Sequence, residues 1–310
     1  ENYQGYNVPA AEFEQHLAYL DRRCNVVSFQ DAVTGRGLSE HKTNVVLTFD
    51  DGYENNYTNA YRLLKHYNYP AIFALPTAFA CDGEPLFNDI LEYAVNHSPK
   101  NEVSIAWEGE DHEFQIDDIS GRLAILNWLM VQCTSVDQTR RNALITAAVD
   151  ELGGSLTRDN LSLHEDYQPL TAESILEMAK SGLVEFASHS IHHSALPSLD
   201  TADKQAELIE SKSQIEGLTG TSCNLFCVPS GLFDDESLDV AFEAGYEYVF
   251  TSEHGIANLG NRTLNRNAIS HSPNNHEFVD FAHGPVVEFI GAARLARSVM
   301  GKLVRPVSTI

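Results

Sequence analysis

Short apolar runs alternate along most of the chain with longer stretches in which apolar residues recur at helical spacing. The apolar runs lie at 26–29, 45–49, 70–75, 183–187, 224–228 and 248–251. The helical stretches between them lie at 9–23, 59–67, 171–181, 200–218 and 237–244. Strands that are apolar on both faces and alternate with helices are typical of a parallel sheet covered by helices. We therefore predict an α/β fold, a distorted (β/α) barrel of about seven strands.

Two parts of the chain depart from this rhythm. Between about 81 and 169 the helical patterns at 123–130 and 141–152 follow one another without strands, which predicts a mostly helical insertion in a single domain spanning 1–310. After Glu288 there is no acidic residue, while four cations lie on an apolar background. This pattern predicts a basic helix at about 286–303. We expect it to pack on the barrel with its cations outward; contact with a membrane surface or a partner is the alternative.

Composition narrows the classes of partner. The 310 residues include 20 Lys and Arg against 44 Asp and Glu, a net charge of −24. Such an excess of negative charge argues against nucleic acids and anionic polysaccharides as partners. No apolar run is long enough to predict a transmembrane helix. The five cysteines lack paired spacing and the chain opens without a signal segment, which favours the cytoplasm over a periplasmic or secreted location.

Two adjacent carboxylates, Asp50 and Asp51, directly follow the apolar run at 45–49. Folds built on a parallel sheet have their active-site residues at the carboxyl ends of the strands. Neighbouring residues of an extended chain point in opposite directions, so one aspartate could bind a metal while the other acts as a base. The alternative is an Asx-turn that closes the strand.

Histidines follow a second predicted strand. His189 and His193 are four residues apart, a spacing that places two imidazoles on one face of a helical turn. Two imidazoles and one carboxylate are a common catalytic zinc set. Asp51, His189 and His193 could therefore converge on one metal, with His192 directed elsewhere.

A third polar turn follows the predicted strand at 224–228. It reads Pro229-Ser230-Gly231, and its backbone N–H groups, that of Ser230 among them, could face the cleft and bind a developing oxyanion. An ordinary turn is the alternative.

These three segments, in this order, resemble the motifs of the polysaccharide deacetylase family (the chitooligosaccharide deacetylase homology domain, carbohydrate esterase family 4). The first motif is complete from Thr48 to Gly52, and the second is His189-Ser190-Ile191-His192-His193. In the third, Pro229 is kept, while Cys227 replaces an arginine and Ser230 an aromatic residue. The resemblance covers about 9–80 and 170–270.

The resemblance implies roles for individual residues. Asp51, His189 and His193 would bind one divalent metal, Zn²⁺ first with Co²⁺ or Ni²⁺ as alternatives, and Asp50 would be the general base. The reaction would remove N-acetyl groups from a glycan, with the Ser230 N–H at the oxyanion. The general acid would be His271, with His164, His254 and His283 as alternatives. Arg266 is a candidate replacement for the arginine missing at Cys227.

Two other functions use the same residues. An O-acetyl esterase would share the machinery, and a degenerate relative would bind glycan without turnover. The intact Asp50 argues against the second, because a binding module needs no base. A phosphohydrolase is disfavoured, because no basic cluster adjoins the motifs.

Overall fold

The computed structural model describes residues 8–153, 164–269 and 288–292, the last segment as backbone only. The described helices are α1 (Ala10–Arg23), α2 (Phe29–Thr34), α3 (Arg62–Tyr67), α4 (Thr77–Asp82), α5 (Phe87–His97), α6 (Ile119–Thr134), α7 (Gln138–Glu151), α8 (Ala172–Lys180), α9 (Thr201–Thr219) and α10 (Asp235–Glu243). The described strands are β1 (Cys24–Val26), β2 (Thr43–Phe49), β3 (Ala71–Leu75), β4 (Glu102–Trp107), β5 (Glu110–Gln115), β6 (Val184–Ser188), β7 (Leu225–Cys227), β8 (Tyr248–Phe250), β9 (Thr263–Leu264), β10 (Asn267–Ala268) and β11 (Glu288–Ala292). A π-helical segment, Asn56–Tyr61, leads directly into α3.

One parallel sheet organises the fold. Its strands follow the order β10-β11-β2-β3-β6-β7-β8-β9, and β1 also pairs with β2. Nine strands belong to this sheet, and β9 and β10 have two residues each, which leaves seven longer strands. The sheet curls into a partial barrel with helices around it, so the predicted distorted (β/α) barrel of about seven strands is confirmed.

The central strand β2 is buried along its whole length. Alternate residues contribute to two different apolar clusters: Val45 and Leu47 to one that includes the covering helices, and Val46 to one that includes α2. A side-chain period of two with both faces apolar is the pattern of a buried parallel strand. The carboxyl end of β2, where the aspartates follow, is thereby fixed by packing on both sides.

The stretch predicted as an insertion has an apolar core of its own. Residues of α5, α6 and α7 form a buried cluster together with Val103 and Ile105 of β4. The hairpin of β4 and β5 was not predicted from the sequence. Its two-residue loop, Glu108 and Gly109, has φ of 53° and 86°, the left-handed values that tight hairpins need.

Two sequence assignments need correction, and part of the second lies outside the described residues. Phe29, predicted as the end of a strand, begins α2, because the Ser28 side chain accepts a hydrogen bond from the Asp31 N–H and caps the helix. Within the predicted basic helix at 286–303, residues 288–292 form the strand β11, because β1 ends beside Val45 and the rest of β2, to Phe49, needs a hydrogen-bonding partner on that side. The rest of that predicted helix lies outside the described residues.

None of the helices in the described part of the chain is long and apolar enough to cross a lipid bilayer. The five cysteines all lie in described segments, and all are free thiols, with only Cys81 exposed.

Two helical glycines should respond oppositely to an added methyl group. A Cβ on Gly121, near the start of α6, would overlap the backbone carbonyl of Gln115, whereas a Cβ on Gly217 in α9 meets nothing. Gly121→Ala should lower the free energy of unfolding by about 1–3 kcal/mol. Gly217→Ala should raise it by about 0.5–1 kcal/mol, because alanine loses less backbone entropy in a helix. Urea denaturation measures both, and unchanged or increased stability of Gly121→Ala would contradict the close packing at Gly121.

The carboxyl group of Glu185 on β6 should make stability depend on pH. Burial and the nearby Glu247 raise its pKa from 4.5 to about 7. Between these values the unfolded chain has released a proton that the folded protein keeps, so the stability falls as the pH rises. Glu185→Gln should leave the melting temperature unchanged near about pH 4 and raise it near about pH 8. The exposed Glu243→Gln is the control, and a uniform shift at both pH values would argue against a raised pKa.

Candidate active site

The two aspartates stand where β2 ends and the chain turns. Asp50 and Asp51 are 8% and 3% exposed. Asp51 and Gly52 both have left-handed backbone, with φ of 74° and 71°. A Cβ on Gly52 would lie 2.6 Å from the Leu75 side chain, so the turn also requires glycine for space. The turn directs the two carboxylates to different partners.

The histidine segment follows β6 at the same edge of the sheet. It is not the helical turn that the spacing of its histidines predicts, because Ser190 and His193 have left-handed backbone with φ of 64° and 53°. The His189 N–H donates to the Leu75 carbonyl at 2.9 Å, and the Ser190 carbonyl accepts from Thr77 N–H at 3.1 Å. These bonds fix the segment to the neighbouring strand β3 and to α4.

Asp51, His189 and His193 converge on one point. Asp51 Oδ1 lies 3.6 Å from His189 Nε2 and 3.4 Å from His193 Nε2. One ligand atom from each residue lies within 4.8 Å of the other two, and all three residues are buried. Tetrahedral zinc with bonds of 2.0–2.1 Å separates its ligand atoms by about 3.4 Å. The three side chains therefore match the donor types and spacing of a divalent metal site.

The second nitrogen of His189 is fixed by a backbone group. Its Nδ1–H donates to the Cys227 carbonyl at 2.7 Å, which leaves the lone pair on Nε2, the nitrogen facing Asp51. Burial lowers the pKa of His189 despite the opposing pull of Asp50, so the ring is held neutral. A neutral imidazole with a free Nε2 is the form that ligates metals. Cys227 thus contributes its carbonyl group, while its thiol is buried.

Arg266 holds Asp50. Its Nη1 and Nη2 donate to Asp50 Oδ1 and Oδ2 at 2.8 and 3.0 Å, and its Nε donates to the Thr251 carbonyl at 3.1 Å. The predicted pairing of Arg266 with Asp50 is confirmed. Burial alone would raise the pKa of Asp50, but the charge and the hydrogen bonds of Arg266 hold this pKa below the ordinary value. Asp50 is therefore an anion at neutral pH.

The remaining predicted site residues are Ser230 and the four histidines considered as the general acid. Ser230 lies in the turn Pro229–Gly231 after β7, with φ of 54°. His254 is exposed and follows β8, and His164 contacts the rings of Tyr93 and Tyr167. His271 and His283 lie outside the described residues, so the role of His271 stays a prediction.

One carboxylate at the site was not predicted from the sequence. Glu207 of α9 is 5% exposed and accepts a hydrogen bond from His192 Nδ1 at 2.7 Å. This hydrogen bond raises the pKa of His192, which is directed away from the metal ligands as expected. The sequence signal for Glu207 is its place on the buried stripe of α9, three residues after Lys204 and one before Leu208.

A partial parallel barrel with an Asp/His/His cluster at its carboxyl edge defines an α/β protein whose site could hold a divalent metal. The family model described as polysaccharide deacetylase matches residues 38–114 and 145–249, more than half of the chain. The chain belongs to the polysaccharide deacetylase family.

Individual relatives are more distant. The chain is 32% identical over 88 residues to the putative polysaccharide deacetylase YxkH of Bacillus subtilis (strain 168), a match that covers 28% of this chain and 31% of that protein. The Streptococcus pyogenes deacetylase PplD, solved with acetate, superposes with a TM-score of 0.56 at 18% identity over 89% of this chain and 88% of its own. A putative polysaccharide deacetylase of Bacillus anthracis gives 0.53 at 18% identity, covering 89% of this chain and 62% of its own. These structures share the fold.

Removing the cation beside Asp50 should strongly destabilise the folded protein. Arg266→Gln leaves a buried carboxylate unpaired, and we expect the free energy of unfolding to fall by about 3–5 kcal/mol. Arg36→Gln is the control, because Arg36 and Asp31 form an ion pair with exposed fractions of 68% and 40%, and its loss should cost below about 1 kcal/mol. Urea denaturation in excess chelator measures both. Equal small losses would contradict the buried pair.

Proposed function

We propose that the chain is a metal-dependent hydrolase that removes N-acetyl groups from an amino-sugar glycan. The observation that carries the proposal is the convergence of Asp51, His189 and His193 beside an ionised Asp50, whose Oδ2 lies 4.0 Å from His189 Nε2. Membership of the polysaccharide deacetylase family supports the reaction type. A glycan is the substrate, and the net charge of −24 favours a neutral or cationic polymer over an anionic one.

Asp51, His189 and His193 would hold the metal. One carboxylate and two neutral imidazoles fit the three-ligand set of catalytic zinc, which keeps a further position open. We propose Zn²⁺, with Co²⁺ and Ni²⁺ as alternatives that suit the same donors. A metal bound there would polarise the acetyl carbonyl and lower the pKa of a water molecule.

The residues around this position would divide the proton transfers. The oxygen of the water molecule attacks the acetyl carbon while Asp50 accepts a proton from that water. Arg266 keeps Asp50 anionic before this step. The Ser230 N–H donates to the acetyl oxygen as negative charge develops on it. The C–N bond then breaks, acetate leaves, and an acid protonates the amine.

His271 is the proposed acid, and His254 is the alternative that the fold supports. His254 follows β8, and both of its neighbours in the chain form hydrogen bonds with the segment that carries Arg266. The Glu253 carbonyl accepts from the Arg266 N–H at 3.1 Å. The Gly255 N–H donates to Asn267 Oδ1 at 3.0 Å. Comparing His271→Ala with His254→Ala identifies the acid, because only the acid's loss should lower turnover without weakening metal binding.

Acetate release tests the function. The protein is stripped with a chelator, reloaded with Zn²⁺, Co²⁺ or Ni²⁺, and offered N-acetylglucosamine oligomers and O-acetylated glycans. We expect acetate from the N-acetylated substrates only after reloading. Asp50→Asn should bind metal but lose about 10²–10⁴-fold in turnover, because the base is gone. Asp51→Asn should lose the metal as well, whereas the exposed Asp239→Asn should match wild type.

Other outcomes select other functions. Release from esters alone would indicate an O-acetyl esterase. Metal binding without any release would indicate a glycan-binding relative. Full activity of the stripped protein would contradict the metal role of Asp51, His189 and His193.

A further inference from the structure

Glu207 reaches from α9 into the loop that carries the two histidine ligands. Its Oε2 accepts backbone hydrogen bonds from Ile191 N–H at 2.8 Å and His192 N–H at 3.0 Å. Both donors lie between His189 and His193 in the chain. One buried oxygen therefore fixes the middle of this loop.

The other oxygen of Glu207 binds two side chains of the same loop. Oε1 accepts from His192 Nδ1 at 2.7 Å and from Ser194 Oγ at 3.2 Å. Ser194 Oγ also lies 3.4 Å from Nη2 of the buried Arg141, which belongs to α7. The carboxylate thus binds four donors from three loop residues, and a cation of the 81–169 stretch adjoins it.

The loop needs such an anchor. Ser190 and His193 adopt left-handed backbone, which costs free energy in residues other than glycine and persists only where surrounding contacts impose it. His193 is both a strained residue and a proposed ligand. Hydrogen bonds to an ionised acceptor are among the strongest available for this purpose.

We propose that Glu207 is a positioning residue for the metal: it holds the 189–193 loop in the conformation that brings His193 Nε2 to His189 and Asp51. The inference rests on the metal site of the proposed function, but not on the reaction catalysed there. Glu207 acts through the loop backbone and through the side chains of His192 and Ser194.

Zn²⁺ affinity tests the role directly. Glu207→Gln keeps the shape of the side chain but replaces one carboxylate oxygen with an NH₂ group. This group cannot accept the hydrogen bonds that the loop N–H and O–H groups donate to Glu207. We expect its Zn²⁺ dissociation constant, from competition with a chromogenic chelator, to rise about 10–100-fold. Glu210→Gln, an exposed change on the same helix, should bind as wild type. Thermal unfolding in excess chelator gives the stability of each metal-free variant and of the metal-free wild type.

A purely structural role has a different signature. Glu207→Gln would then melt earlier without metal yet bind Zn²⁺ as tightly as wild type, which overturns the proposal. Ser194→Ala provides a milder variant should Glu207→Gln not fold. It removes one hydrogen bond, and we expect Zn²⁺ binding to weaken about threefold. Wild-type affinity in Ser194→Ala, with Glu207→Gln unfolded, also overturns the proposal.

Asp51→Asn separates this proposal from the metal site itself. Asp51→Asn could lose Zn²⁺ while Glu207→Gln and Ser194→Ala bind it with wild-type affinity. That result would support the metal site and reject the role of Glu207. A wild-type chain that binds no Zn²⁺ would reject both.

Discussion

A carboxylate that is almost completely removed from water is stable as an anion only when a cation and hydrogen-bond donors surround it. Asp50 meets this condition through Arg266, which reaches it from the short connection between β9 and β10. The strands β9 and β10 are the two ends of the sheet path, so the pair ties the connection between these ends to the carboxyl end of β2. The same contact therefore fixes this connection at the carboxyl edge of the sheet and keeps Asp50 ionised. If the pair were lost, both the position of the connection between β9 and β10 and the charge of Asp50 would change.

Strain is concentrated at this edge. Six residues other than glycine have positive φ in the described part of the chain, and Asp51, Ser190, His193 and Ser230 are four of them. All four lie in the turns after β2, β6 and β7. Such conformations persist only where packing and hydrogen bonds over-determine them, and they cluster at functional sites. In the turn after β6, buried hydrogen bonds to Leu75 of β3, to Glu207 and to the Cys227 carbonyl offset this strain.

The members of the cluster could be predicted from the sequence, but its shape could not. Asp51 and His189 each follow an apolar strand, and the carboxyl ends of parallel strands share one edge, so their proximity follows from topology. The contact of Arg266 with Asp50 could be anticipated because a buried anion requires a cation. The spacing of His189 and His193 predicted a helical turn, and the actual loop depends on tertiary hydrogen bonds that no local pattern encodes. The strand β11 was missed for a similar reason, since a parallel partner is distant in sequence and leaves no local periodicity.

Glu207 shows why surrounding structure matters as much as the motif. A glutamate among the many charges of α9 resembles a solvent-facing residue, yet helix geometry puts it on the stripe with Lys204, Leu208 and Ser211 that faces the barrel. Arg141 reaches the same loop from α7, in a stretch with an apolar core of its own. Because Arg141 is buried, its charge must be offset nearby, and Glu207 supplies the opposite charge. The 81–169 stretch is therefore tied electrostatically to the loop that carries the histidines, and a change in its packing at Arg141 would reach His193 through Ser194 and Glu207.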